Sequence, residues 1–212
     1  MADLPVDATG VVLAAGAGRR FGQPKALVRL SGERLVDRAV RLLREGGCRR
    51  VVVVSGAAPL RVEGADVVDN PQWPTGMGSS LVTALEAIGE HAAIVVPVDM
   101  PWLGAESVRR LLRSGSTLAV ATYGGRRGHP VLIGPEFFAE VRATAIGDVG
   151  ARTFLAAHAD LVREVPCDGT GCPCDVDTPQ DLRTPGSITD VRVSGADGCH
   201  GNADGHHARS GW

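Results

Sequence analysis

Apolar residues follow two rhythms along this chain. Val11–Ala15, Arg50–Val54, Ala93–Val98 and Leu118–Ala121 are short, nearly unbroken apolar runs, the mark of strands buried on both faces. Between them the period changes. Leu35, Val36, Ala39, Val40, Leu42 and Leu43 recur at helical spacing, and Gly46-Gly47 closes that helix. Leu81, Val82, Ala84, Leu85 and Ile88 form the apolar face of a second helix over Met77–Gly89. Further helices are expected over Ala105–Arg113, Pro135–Val141 (opening on proline) and Gly150–His158, and shorter strands over Glu63–Val68, Val131–Ile133 and Leu161–Val165. Asn70–Gly76 reads as a breaker-rich loop and Tyr123–His129 as a basic, glycine-rich one. Strands alternating with helices predict an α/β domain of three layers, its mostly parallel sheet covered on both faces. The pattern fades near Pro185. Residues 1–184 are therefore expected as one domain, and residues 185–212, rich in Gly, Ser, Asp, Asn and His, as a disordered tail.

The stretch that follows the first strand changes the picture most. The apolar run stops in Gly16-Ala-Gly18-Arg-Arg-Phe-Gly22-Gln-Pro-Lys25. Glycines just past a strand let backbone N–H groups approach a ligand, and Arg19 and Lys25 favour one with several negative charges, such as a triphosphate. A turn with solvated arginines is the plainer alternative. The dinucleotide fingerprint fails, because Phe21 stands where its third glycine belongs and no acidic residue closes the second strand, Val54-Ser55-Gly56. The Walker loop fails too, because Lys25 lies between Pro24 and Ala26.

Composition excludes more than it selects. A net charge of −2 over 212 residues gives no bulk reason to expect nucleic acid or an anionic membrane as partner. Met1–Asp7 has neither the basic region nor the apolar core of an export signal, and no stretch is long enough to span a bilayer, so a cytoplasmic protein is expected. Its five cysteines are then expected as thiols, including Cys172 and Cys174 in a loop. Cys199, His200, His206 and His207 in the tail fit no structural zinc spacing.

Several polar positions could carry chemistry at the carboxyl edge of such a sheet, where ligands gather. Asp99 directly follows a buried strand, a place for Mg²⁺ beside bound phosphates or for an ordinary helix cap. Asp177, in Asp175-Val-Asp-Thr-Pro179, is a second acidic point with the same two uses. Thr75-Gly-Met-Gly-Ser-Ser80 opens a helix whose free N–H groups could receive a phosphate, unless serine caps them. Arg126, Arg127 and His129 could meet a second anionic substrate, or the arginines could be a solvated pair. Gly147-Asp-Val-Gly-Ala-Arg152 could add another anion or metal contact.

Six segments in order resemble the MobA-like nucleotidyltransferases, and within them the molybdenum cofactor cytidylyltransferases. They are Leu13-Ala-Ala-Gly-x-Gly-x-Arg-x-Gly-x-x-Lys25, Asn70-Pro-x-Trp-x-x-Gly-Met-Gly-Ser-Ser-Leu81, Asp99-Met-Pro101, Gly128-His-Pro130, Gly147-Asp-x-Gly-Ala-Arg152 and Asp175-x-Asp-Thr-Pro-x-Asp181. The resemblance implies a Rossmann-like fold of the nucleotide-diphospho-sugar transferase type. It implies that Leu13, Ala14, Ala15, Gly16 and Gly18 meet the nucleotide through the backbone, that Arg19 and Lys25 bind the triphosphate, and that Ser55, Asn70, Gly78, Ser79 and Ser80 line the nucleotide pocket. Asp99 and Asp177 would hold Mg²⁺, and Gly128, His129 and Pro130 would face a phosphorylated acceptor, molybdopterin, for delivery to a molybdoenzyme. In this family Leu-Ala-Ala-Gly goes with cytidine nucleotides and Leu-Ala-Gly-Gly with guanosine nucleotides, so Ala15 favours CTP. Other members of the fold use sugar phosphates, and some relatives are described as NAD(P)H-dependent oxidoreductases acting on nicotine blue. A binding module that turns nothing over is a further alternative, set against the intact Lys25, Asp99 and Asp177.

Overall fold

The computed structural model describes residues 5–183; the expected tail and its Cys199, His200, His206 and His207 lie outside them. Seven strands form one sheet in the order β5-β4-β1-β6-β8-β7-β9. They are β1 (Ala8–Leu13), β4 (Val51–Ser55), β5 (Asp66–Asp69), β6 (Ala92–Pro97), β7 (Leu118–Tyr123), β8 (Arg126–Ile133) and β9 (Arg163–Pro166). Only β8 runs against its neighbours β6 and β7; the other adjacent pairs are parallel. A separate two-strand hairpin, β2 (Arg29–Leu30) with β3 (Glu33–Arg34), precedes the first helix.

The alternation of side chains along each strand makes the three layers. Val12, Val53, Ile94 and Val96 join α1 (Leu35–Glu45) and α3 (Ala105–Leu112) in one core. Val11, Leu13, Val52 and Val95 join α2 (Met77–Ile88), α4 (Phe138–Thr144) and α5 (Arg152–Ala157) in the other. Both faces of the central strands are thus buried, which is why their sequences are apolar without alternation. The predicted α/β architecture holds. Among the described residues no helix is long and apolar enough to cross a membrane.

Three elements depart from expectation. The first strand begins at Ala8, where Gly10 lies against the Leu43 side chain and keeps α1 close to the sheet. The hairpin β2–β3 turns through Ser31 and Gly32, both at positive φ, a short turn whose strands are too brief to show a period. The largest correction concerns residues 123–129. The turn is only Gly124-Gly125, both at positive φ, and Arg126 to Ile133 continue as strand. Pairing with β7 on one side and β6 on the other converts the expected loop into the sheet's one reversed strand.

Candidate active site

The carboxyl ends of β1, β4, β5 and β6 meet at one edge. After β1, Ala14 still donates to the Val54 carbonyl at 3.0 Å, and the Ala15 carbonyl accepts from Ala57 at 2.9 Å. The chain then leaves the sheet, with Gly16 exposed. Gly18 sits at φ +59° with the Gln23 carbonyl occupying the space a Cβ would need, so this loop folds back on itself only with glycine there. A short 3₁₀ turn, Lys25–Leu27, follows; its buried Ala26 fixes it to the core and aims Lys25 across the edge. Arg19 is exposed on the rim.

Lys25 Nζ donates to Asp99 Oδ2 at 2.9 Å and to Asp177 Oδ1 at 2.7 Å. One ammonium from the start of the domain thus joins a carboxylate from its middle and one from its end. Burial alone would lower the Lys25 pKa, but Asp99 and Asp177 together outweigh it and the pKa is raised, so the group stays charged. Asp99 is placed by β6, whose last turn is tied to β1 by Val98 N–H to the Leu13 carbonyl at 3.1 Å. Asp177 is placed by Val176, which is fully buried and donates its N–H to the Asp99 carbonyl at 2.8 Å. Asp181 completes the turn. Its Oδ2 accepts from the Asp177 and Thr178 amides at 2.9 and 2.7 Å and from the Thr178 hydroxyl at 3.0 Å. Those bonds hold its carboxyl below the usual range. Arg20 was missed by sequence reasoning, which singled out its neighbour. It reaches Asp177 Oδ2 at 3.2 Å. The glycine loop's two adjacent arginines, both exposed, gave no signal of which would reach the aspartate.

The residues expected to line the nucleotide pocket are partly its frame. Asn70 is buried; its Nδ2 donates to Ser79 Oγ at 2.9 Å and Ser80 Oγ at 3.0 Å, and its Oδ1 accepts from Gln72 N–H at 2.9 Å. Ser55 is also buried and donates to Asp69 Oδ1 at 3.1 Å. Gly78 packs directly on the Ala145 carbonyl, a contact that leaves no room for a Cβ. The residue before α2, Gly76, offers no side-chain cap. Met77 N–H meets the Asp148 carboxylate at 3.3 Å, so the Gly147-Asp segment serves this helix from a distance in sequence.

On the other side of Asp99 the expected acceptor residues lie in β8. Gly128, His129 and Pro130 are buried strand residues, not loop residues. His129 Nδ1 lies 3.3 Å from the Val95 carbonyl, and burial pushes its pKa down to about 3. The unfolded histidine, near its ordinary 6.5, binds a proton that the folded one refuses, so this contribution to stability is full above about pH 6.5 and is lost as pH falls toward about 3. Denaturant titrations across that window should show the slope, and His129→Gln should flatten it. Arg127 turns away to Glu164 at 2.8 Å, while Arg126 is exposed. Cys172 and Cys174, expected as thiols, are joined as a disulfide, their Cα atoms 5.2 Å apart. Cys48 and Cys167 are free and buried.

Two carboxylates around one cation suit a hard divalent ion, which commonly takes one or two carboxylates and leaves the remaining positions to phosphates and water. Among the described residues no third His, Cys, Asp or Glu joins them as a ready-made cage.

Similarity to known proteins narrows the field. Nicotine blue oxidoreductase of Paenarthrobacter nicotinovorans is 38% identical over 197 residues, covering 85% of this chain and 96% of that protein. The molybdenum cofactor guanylyltransferase of Xanthomonas euvesicatoria pv. vesicatoria is 40% identical over 113 residues, spanning 53% of this chain and 58% of that protein. Rv0371c of Mycobacterium tuberculosis, solved in complex with manganese, superposes with a TM-score of 0.69 at 28% identity, over 84% of this chain and 97% of that one. The MobA-like NTP transferase domain matches residues 10–162, a span that takes in the glycine loop, Asp99 and β8 and stops short of Asp177. The chain therefore belongs to the MobA-like NTP transferase family.

Proposed function

We propose that the protein is a Mg²⁺-dependent nucleotidyltransferase that moves CMP from CTP onto a phosphorylated acceptor of the molybdopterin type. The observation that carries it is Lys25 held between Asp99 and Asp177 at the sheet's carboxyl edge. In the reaction an acceptor phosphate oxygen bonds to the α-phosphorus, the bond from that phosphorus to the bridging oxygen breaks, and pyrophosphate leaves. No protein nucleophile is needed; positioning and charge are. A divalent cation held by Asp99 and Asp177 would neutralise phosphate charge. The glycine loop presents backbone amides, and Lys25 and Arg19 carry positive charge to the leaving pyrophosphate. Ala15, buried where β1 and β4 end, supports CTP over GTP through the family pattern.

A second assignment has its own observation. A relative that covers 85% of this chain and is itself covered to 96% is named an oxidoreductase. NAD(P)H-dependent reduction of a dye is the competing activity, and the missing dinucleotide fingerprint weighs against it. Thermal shift with Mg²⁺ and CTP, GTP, ATP, NADH or NADPH separates the two. At a hundredfold its dissociation constant CTP should add about 2.7 kcal/mol, roughly 5–10 °C for a domain of this size. That shift should be followed by pyrophosphate release when molybdopterin is supplied. A shift with NADPH and none with CTP would transfer the assignment to the oxidoreductase.

A further inference from the structure

We infer that the Lys25 ammonium and the divalent ion exchange places: the ammonium holds Asp99 and Asp177 together until the ion displaces it, and displacement frees it for the phosphates. The inference rests on the metal-binding role given to those two aspartates above.

The two roles compete for the same atoms. Lys25 Nζ is bonded to Asp99 Oδ2 at 2.9 Å and to Asp177 Oδ1 at 2.7 Å. It therefore lies between the two carboxylates, where an ion shared by both belongs. Mg²⁺ needs its oxygens at about 2.0–2.1 Å and cannot share that space with an ammonium. Repulsion between the two positive groups acts the same way, since it is strong at such distances even near a protein surface. Arg20 raises no such conflict. It is exposed and reaches one carboxylate only, through Asp177 Oδ2 at 3.2 Å.

The backbone lets the ammonium leave while the carboxylates stay. Val176 N–H on the Asp99 carbonyl and the Asp177 and Thr178 amides on Asp181 fix the aspartates without using Lys25. Lys25 itself is rooted in the glycine loop. Its backbone nitrogen lies 3.1 Å from the place a Cβ on Gly18 would take. One side chain thus springs from the loop that would hold the triphosphate and crosses to the aspartates. All three side chains are partly open to solvent.

Residue type points the same way. Lys25 is the only lysine of the 212 residues; the other members of the Lys/Arg set are all arginine. An arginine here would grip a carboxylate with its rigid planar fork. A lysine ammonium is a compact point charge on a flexible stem, and its donors rotate to a new partner. It is the cation suited to exchange.

The experiment uses the full chain, Mn²⁺ as the probe ion and two readouts. Free Mn²⁺ is followed by electron paramagnetic resonance with the wild-type protein and with Lys25→Met, which keeps an unbranched stem without the charge. Without nucleotide the variant should bind Mn²⁺ about tenfold more tightly, within the usual range for two coupled binding events. The second readout needs no substitution. A water-soluble acetylating ester finds one side-chain amine in this chain, and mass spectrometry separates it from the α-amino group. Saturating Mn²⁺ should speed acetylation of Lys25 severalfold, and a chelator should reverse the effect. This readout stands whether or not the variant folds. Equal or weaker Mn²⁺ binding by folded Lys25→Met, or an acetylation rate that bound Mn²⁺ leaves unchanged, overturns the exchange and leaves the metal site standing. No Mn²⁺ binding by either protein overturns both.

Discussion

Asp99→Asn is expected to give a folded protein whose nucleotidyl transfer is slowed by about 10²–10³ or more, the usual loss when one preorganised charge at a phosphoryl centre is removed. The substitution keeps the shape of the side chain. It leaves Lys25 bonded to Asp177 at 2.7 Å, and it leaves the Asp99 backbone carbonyl free to hold Val176 as before. The fold is therefore spared while the acid pair is reduced to one member. Steady-state turnover with CTP, set beside circular dichroism and thermal unfolding, checks both halves. Normal turnover in a folded Asp99→Asn protein would remove Asp99 from the site and with it the nucleotidyl-transfer mechanism.

The second large effect is on stability. Asn70→Ala should destabilise the domain by about 3 kcal/mol, lowering Tm by about 6–12 °C. The amide of Asn70 makes three bonds at a buried position: two to the serines of α2 and one to the loop that precedes that helix. Truncation leaves the Gln72 amide and the buried Ser80 hydroxyl without those partners, and each such group costs about 1–3 kcal/mol when its bond is lost inside the protein. A calorimetric scan reads this directly. An unchanged Tm would mean that the Ser79 hydroxyl bond to the Gln72 carbonyl, at 3.0 Å, is enough to hold this loop to α2.

Much of this was legible in the chain because the strands buried on both faces are written as runs of valine and alanine, and because glycine marks where β1 must stop. Val51–Ser55 and Ala92–Pro97 differ from expectation by only one residue at each end. The reversed strand β8 was not legible for a physical reason. Its first half, Arg126-Arg-Gly-His-Pro130, contains two glycine or proline residues and three basic ones, a composition of loops, and it becomes strand through pairing with partners on both sides. The same cause hid the burial of His129. Asp99 was recognisable from its place after a strand, whereas the partnership of Lys25 with both aspartates was not, since contacts across 74 and 152 residues leave no local pattern. The cap on α2 escaped notice likewise: Asp148 lies far along the chain from the helix it serves.

Asp177 follows β9, the last strand of the sheet, and its distance in sequence from Lys25 has a consequence for synthesis. A nascent chain threaded out of the ribosome as far as β6 already holds the glycine loop, Lys25 and Asp99, yet it has only one of the two carboxylates. The other arrives when nearly the whole domain has been made and Val176 has docked on Asp99. Ion capture by the pair is therefore a late event in biogenesis, and an incomplete polypeptide, however well its first strands have assembled, is spared from holding the cation as the finished protein would.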